Sequence, residues 1–166
     1  MKKIKIYLDT SVINFLFADD APEKKEITVT FFNTFISASV YENFISPFVI
    51  EEILQTTNEN KKDLLLNAVS EYPLEIVDIN NMMDEINTLS DAYIKAGAVP
   101  ETKKMDALHV ALCTLMQIDY LVSWNFKHLA NINRERKFLI VNQGLNYAYP
   151  LRIVTPENLF NDEYGN

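Results

Sequence analysis

Asp9 closes the first alternating apolar run of the chain, Ile4, Ile6 and Leu8, and the sequence then breaks at once into Asp9-Thr10-Ser11 before a second apolar stretch. Asp106 sits in an equally informative place. Its segment, Thr102 to Gln117, carries Met105, Leu108, Val110, Ala111, Leu112, Cys113, Leu115 and Met116 and leaves almost no polar side below its first turns. A helix of that composition is buried nearly all round, and an unpaired buried carboxylate is costly, so Asp106 needs either a basic partner or a cation. His109 lies three residues further on the same face, where a core or supporting role suits it better than ligation. Glu52, with Glu51 beside it, and Asn125 complete a candidate set of oxygen-bearing side chains from distant segments. Hard oxygen donors suit Mg2+ or Mn2+, which take a few carboxylates plus waters and substrate phosphate. Zinc is disfavoured: the chain has two histidines and one cysteine, without a ligand spacing. Plainer roles compete at each position, since Asp9 could simply cap a helix, Glu52 could be a solvated helix residue and Asn125 could end a strand.

The elements that must position these residues follow from periodicity and capping. Lys3 to Leu8 reads as a strand, with Thr10 or Ser11 as N-cap of a helix through Val12, Ile13, Leu16 and Phe17. Ile27, Phe31, Phe35 and Ser39, widened by Phe32 and Ile36, predict an amphipathic helix over Pro22 to Ser39. A short strand from Asn43 to Ile45 leads to Ser46-Pro47, an N-cap followed by proline at the first helical position, and a helix to Gln55. Lys61 to Glu71 reads as a helix, Leu74 to Ile79 as a strand, and Met82 to Ala96 as a helix stopped by Gly97. After the Thr102 helix come a strand at Tyr120 to Trp124, a helix at Arg134 to Asn146, a strand at Arg152 to Val154, and a closing helix over Glu157 to Phe160 capped by Thr155-Pro156. Strands alternating with helices predict an α/β fold, an α/β/α sandwich around a parallel sheet with right-handed crossovers. In such a fold ligands bind at the carboxyl edge of the strands. Asp9 and Asn125 follow strands, and a crossover helix starts beside that edge, so Asp106 and Glu52 are expected there as well.

Bulk properties narrow the classes. With 166 residues and 48% hydrophobic composition, the chain suits one domain over residues 1–166 with a substantial core. Three Gly and six Pro, with no biased stretch, mark no linker or repeat. The single cysteine, Cys113, excludes an intrachain disulfide and suits the reducing cytoplasm. Asp9 and Asn14 interrupt the early apolar stretch, which argues against a signal peptide, and no window approaches the roughly 18 apolar residues of a membrane helix. A net charge of −8 and a pI near 4.7 argue against broad phosphate neutralisation by basic residues. They leave room for a site where a bound dication accepts a phosphodiester. The residues able to steer a polyanion are Lys103, Lys104, Lys127 with His128, Arg134, Arg136 and Lys137, most of which also read as solvated helix faces.

YLDTSVINFLF, ISPFVIEEIL, MDALHVALC and DYLVSWNFKHL, in this order and at these spacings, resemble the PIN-domain family, including ribonuclease toxins of VapC type, over nearly the whole chain. The resemblance implies a central parallel five-stranded sheet of order 3-2-1-4-5 and makes Asp9, Glu52 and Asp106 the metal-binding acids, selecting Glu52 over Glu51. It places the fourth acidic position of the family on or near Asn125, where the amide lowers the charge, bears on a second metal and is expected to act in catalysis by positioning water or the second ion. Thr10, Ser11 and Ser123 become supporting hydroxyls. It further implies a Mg2+- or Mn2+-dependent endoribonuclease acting on RNA, with a small antitoxin and a homodimer as expected partners; no membrane partner is expected, for want of an apolar span.

Two other classes compete with this expectation. A PIN-like module with a weakened site could bind RNA or a protein without cutting, and the Asn at position 125 favours it. Phosphoryl transfer on a similar sheet fares worse. Haloacid-dehalogenase-like phosphatases use Asp-x-Asp after the first strand, where this chain has Ser11, and response-receiver domains need an acidic pair there and a lysine after the last strand, where this chain has Thr155-Pro156.

Overall fold

A computed structural model describes residues 2–164. Five parallel strands form one sheet in the order β3-β2-β1-β4-β5. The strands are β1 (Lys5–Leu8), β2 (Glu42–Ile45), β3 (Glu75–Ile76), β4 (Tyr120–Val122) and β5 (Arg152–Val154). Helices α1 (Thr10–Asn14) and α2 (Pro22–Phe31) connect β1 to β2, and α3 (Pro47–Leu54) and α4 (Glu59–Glu71) connect β2 to β3. The connection from β3 to β4 is made by α5 (Met83–Lys95) and α6 (Lys104–Leu115), the next crossover is α7 (Ile132–Gly144), and α8 (Pro156–Tyr164) closes the chain. The α/β sandwich with this strand order is the architecture expected from the sequence.

Strand β1 is central, paired with β2 on one side and β4 on the other. Its Ile6, Tyr7 and Leu8 are all fully buried, because helices cover both faces of a parallel sheet. Both faces of β1 are covered, as the α/β/α reading expects, and Tyr7 points into the interior beneath α6. The register sets Leu8 opposite Val122, which brings Asp9 level with Ser123 at the carboxyl edge.

Several expected elements are trimmed or redrawn. The N-cap of α1 is Asp9 itself, not Thr10 or Ser11, with its side chain accepting from the Val12 amide at 3.4 Å. The helix expected over Pro22 to Ser39 is α-helical only to Phe31 and continues as a π-helical turn from Phe32 to Ile36. The wider turn lets Phe31, Phe32, Phe35 and Ile36 all reach the core. Phe35 stacks on Phe160 at 5.5 Å and Phe32 meets Tyr72 edge-on at 4.7 Å, which compensates for a less regular helix. Strand β3, expected over Leu74 to Ile79, pairs only with β2 and shrinks to two exposed residues, the usual form of a short edge strand. Helix α5 ends as expected on Gly97, whose φ of +73° is the left-handed conformation that suits glycine. The apolar segment Phe138 to Val141, which composition alone would admit as a strand, lies within α7. No helix among the described residues is long and apolar enough to cross a membrane.

Candidate active site

Asp9 leaves β1 with its amide still in the ladder, donating to the Val122 carbonyl at 3.2 Å. The residue is only 4% exposed. Ser11 donates to Oδ1 at 2.5 Å, and Ser123 donates to Oδ2. Each of these hydroxyls is itself held, since Ser11 accepts from the Trp124 amide and Ser123 from the Asn125 amide, both at 2.9 Å. The carboxylate therefore cannot swing out to water. Burial pushes its pKa from 3.8 up to about 6, against the lowering effects of His109 and of the two serine hydroxyls, and Asp106 adds to the rise.

Glu52 reaches the same rim from α3, whose start is set by Ser46 accepting from the Phe48 amide and by Pro47 at the first position. Oε1 of Glu52 accepts from the Thr10 hydroxyl and meets Nε2 of His109, both at 2.7 Å. Burial alone would raise this carboxylate, but the bond and charge of His109 together with the Thr10 hydroxyl leave it below its ordinary value. Asp106, in the first turn of α6, is half-buried. Its Oδ2 accepts from the Asn125 side-chain amide at 3.3 Å. Burial raises its pKa and Glu52 adds to the rise, while His109, Lys103 and Asn125 oppose it.

The three acids thus lie close enough to feel one another, and Thr10, Ser11, Ser123 and Asn125 hydrogen-bond to them directly. Among the described residues no lysine or arginine forms an ion pair with any of the three. Asn125 is anchored from both ends: its carbonyl oxygen accepts the His128 amide at 3.0 Å while its NH2 group faces Asp106. It acts here as a donor to Asp106, with its oxygen already engaged. Glu51 is exposed and takes no part.

Two features of the site escaped the sequence reading. One is Tyr7, whose hydroxyl joins Ser46 at 2.6 Å to His109 at 2.7 Å; a tyrosine in a fully buried strand must find polar partners, and that was the available signal. The other is the rim beyond Asn125. Phe126 is 47% exposed, and the Lys24 ammonium lies 5.0 Å from its ring and within 5.7 Å of Trp124. Of the basic residues singled out in the sequence, Lys104 pairs with Asp91, and Arg136 and Lys137 are solvated. Arg134, Lys127 and Lys103 all act on His128, which burial first and then these charges hold below its ordinary pKa.

No family model matches the chain, and no curated protein matches it in sequence.

Among the described residues no three His, Cys, Asp or Glu side chains form a ready-made metal cage. Mg2+ does not need one, since it keeps several waters and is commonly held by one or two carboxylates plus substrate phosphate. The donor set fits such an ion. Oε2 of Glu52 and Oδ1 of Asp106 accept no hydrogen bond from the described residues. Asp106 raises Asp9 and Glu52 raises Asp106, and with no lysine or arginine paired to any of the three among the described residues a dication would stabilise the site.

Proposed function

We propose that this protein is a Mg2+- or Mn2+-dependent endoribonuclease of PIN type, acting as the toxin of a toxin–antitoxin pair. The observation that carries the metal-dependent chemistry is Asp9: a carboxylate buried at a sheet edge, pushed up to about 6 by that burial, with Asp106 adding to the rise against His109 and the two serine hydroxyls, and with no lysine or arginine ion pair among the described residues. A group of that kind is expensive to keep unless something cationic visits it. Asp9, Glu52 and Asp106 would hold the ion. A dication held there supplies an acidified water and a polarised phosphodiester. Ser11 and Ser123 keep Asp9 aimed, Thr10 and His109 do the same for Glu52, and Asn125 orients Asp106. The RNA reading is supported by the ordered resemblance of the sequence segments and by the rim, where an exposed aromatic ring and nearby lysines offer a base-stacking face and phosphate contacts in an otherwise acidic chain. A small antitoxin covering the acidic rim and a homodimer are the partners this reading brings.

One observation favours a second reading, a PIN-like module that binds without cutting. The oxygen of Asn125 is engaged by the His128 amide, so the fourth position offers no free ligand for a second ion. Cleavage of a panel of tRNA and rRNA fragments with Mn2+ separates the two. The enzyme reading expects cutting that needs the metal and disappears in Asp106→Asn with the fold retained. Undiminished cutting by that variant would refute the site, and Mn2+ binding without any cutting would favour the module.

A further inference from the structure

We propose that Ser46, Tyr7 and His109 form a one-directional hydrogen-bond chain that fixes the Glu52 carboxylate for metal binding, with His109 as the positioning residue. The inference rests on the metal-dependent reading above and adds to it the residues that make Glu52 competent.

The chain crosses three elements: Ser46 caps α3 beyond β2, Tyr7 lies in β1 and His109 in α6. Ser46 and Tyr7 are fully buried and His109 is 1% exposed. Its links are short, 2.6 Å from Ser46 to Tyr7, 2.7 Å from Tyr7 to Nδ1 of His109, and 2.7 Å from Nε2 to Oε1 of Glu52. The direction of donation follows from the fixed end. The Phe48 amide can only donate, and it donates to the Ser46 oxygen at 3.2 Å. The proton of Ser46 then has one acceptor within reach among the described residues, the Tyr7 oxygen. Tyr7 in turn donates to Nδ1, so the imidazole carries its hydrogen on Nε2 and donates to Glu52. Run the other way, the chain would leave the Ser46 proton buried without an acceptor, which folded proteins avoid.

Where the chain ends distinguishes it from packing. The other fully buried tyrosine, Tyr93, closes on Thr114 and Asn142 inside the core. Tyr7 instead leads to a carboxylate at the rim. Thr10 donates to the same Oε1, so two donors hold one oxygen and leave Oε2 to the cleft. Phe48 meets the imidazole edge-on at 6.2 Å and holds its plane. Partners behind a metal ligand commonly matter by a factor of about 10 to 100 in affinity.

The test is Mn2+ titration by calorimetry of chelator-treated full-length protein. His109→Leu should weaken Mn2+ by about 10- to 100-fold, while His109→Gln, whose amide can accept from Tyr7 and donate to Glu52, should recover most of that loss. Tyr7→Phe should weaken binding by itself yet add nothing in the His109→Leu background, because groups acting in series are not additive. Wild-type affinity in His109→Leu, or a Tyr7→Phe effect unchanged by the loss of His109, would overturn the chain alone; a wild-type protein that binds no Mn2+ would overturn the metal reading along with it. Imidazole nitrogen shifts of the metal-free wild type give a test free of folding effects: hydrogen on Nε2 is expected, and hydrogen on Nδ1 with Nε2 bare would refute the direction.

Discussion

Asn in place of Asp9 should make the metal-free protein more stable at neutral pH, although the same change should abolish its activity. The buried carboxyl titrates near 6, against 3.8 for the unfolded chain, chiefly because burial disfavours the charged form. Between those two values the folded state binds more protons than the unfolded state, so this contribution to stability falls as pH rises through the window. Above about 6 the full cost is present, roughly 3 kcal/mol for a shift of about two pH units. Below 3.8 it is absent. An amide has no charge to desolvate, but it offers Ser11 and Ser123 one acceptor oxygen in place of two, and one lost hydrogen bond costs about 1 kcal/mol. The net gain at pH 7.5 is therefore about 2 kcal/mol, or about 6 °C in Tm for a chain of this size. Urea and thermal unfolding of both proteins in chelator, at pH 7.5 and pH 4, measure it. The Asn variant should gain at pH 7.5 and lose that advantage at pH 4, and Mn2+ should raise the Tm of the wild type only. A variant less stable than wild type at pH 7.5, or a difference independent of pH, would show that Asp9 is not held at the expense of stability and would remove the main electrostatic argument for a cation.

Phe126→Ala should raise KM for single-stranded RNA by about 10-fold with kcat little changed, since one base–aromatic stack is worth about 1–3 kcal/mol; steady-state cleavage kinetics would show it, and a pure kcat effect would contradict a stacking role. Glu135→Ala should destabilise by about 2 kcal/mol in urea unfolding, because Glu135 accepts the buried Ile153 amide at 2.7 Å and ties α7 to β5, and that donor would lose its partner. Gly97→Ala should cost about 1 kcal/mol through its φ of +73° alone, since a Cβ there meets nothing within 4 Å; a loss several times larger would point to a packing role the structure does not contain.

Much of the site was legible from local signals, although the choice of Glu52 over Glu51 came from the family resemblance. Asp106 had no polar face to occupy in an apolar helix, Ser46-Pro47 marked the start of α3 and so the place of Glu52, and Asp9 broke an apolar run at its end. Tyr7 was not legible. A sheet covered on both faces buries it, but that its hydroxyl meets Ser46 and His109 is set by how α3 and α6 pack against β1. The role of Asn125 was half legible: its position after β4 was readable, but which of its atoms faces Asp106 depends on the His128 amide.

The order of apolar and polar residues, with caps, prolines and Gly97, was enough to determine the element types, the parallel α/β architecture and the edge at which the acids would gather, because these depend on local periodicity and the handedness of crossovers. The electrostatic character of that edge was decided only in three dimensions. A side chain's charge cost depends on what surrounds it. The burial of Asp9, the hydroxyls that hold it, the imidazole on Glu52 and, among the described residues, the lack of a lysine or arginine paired with any of the three acids are all set by segments that meet only in the folded sheet.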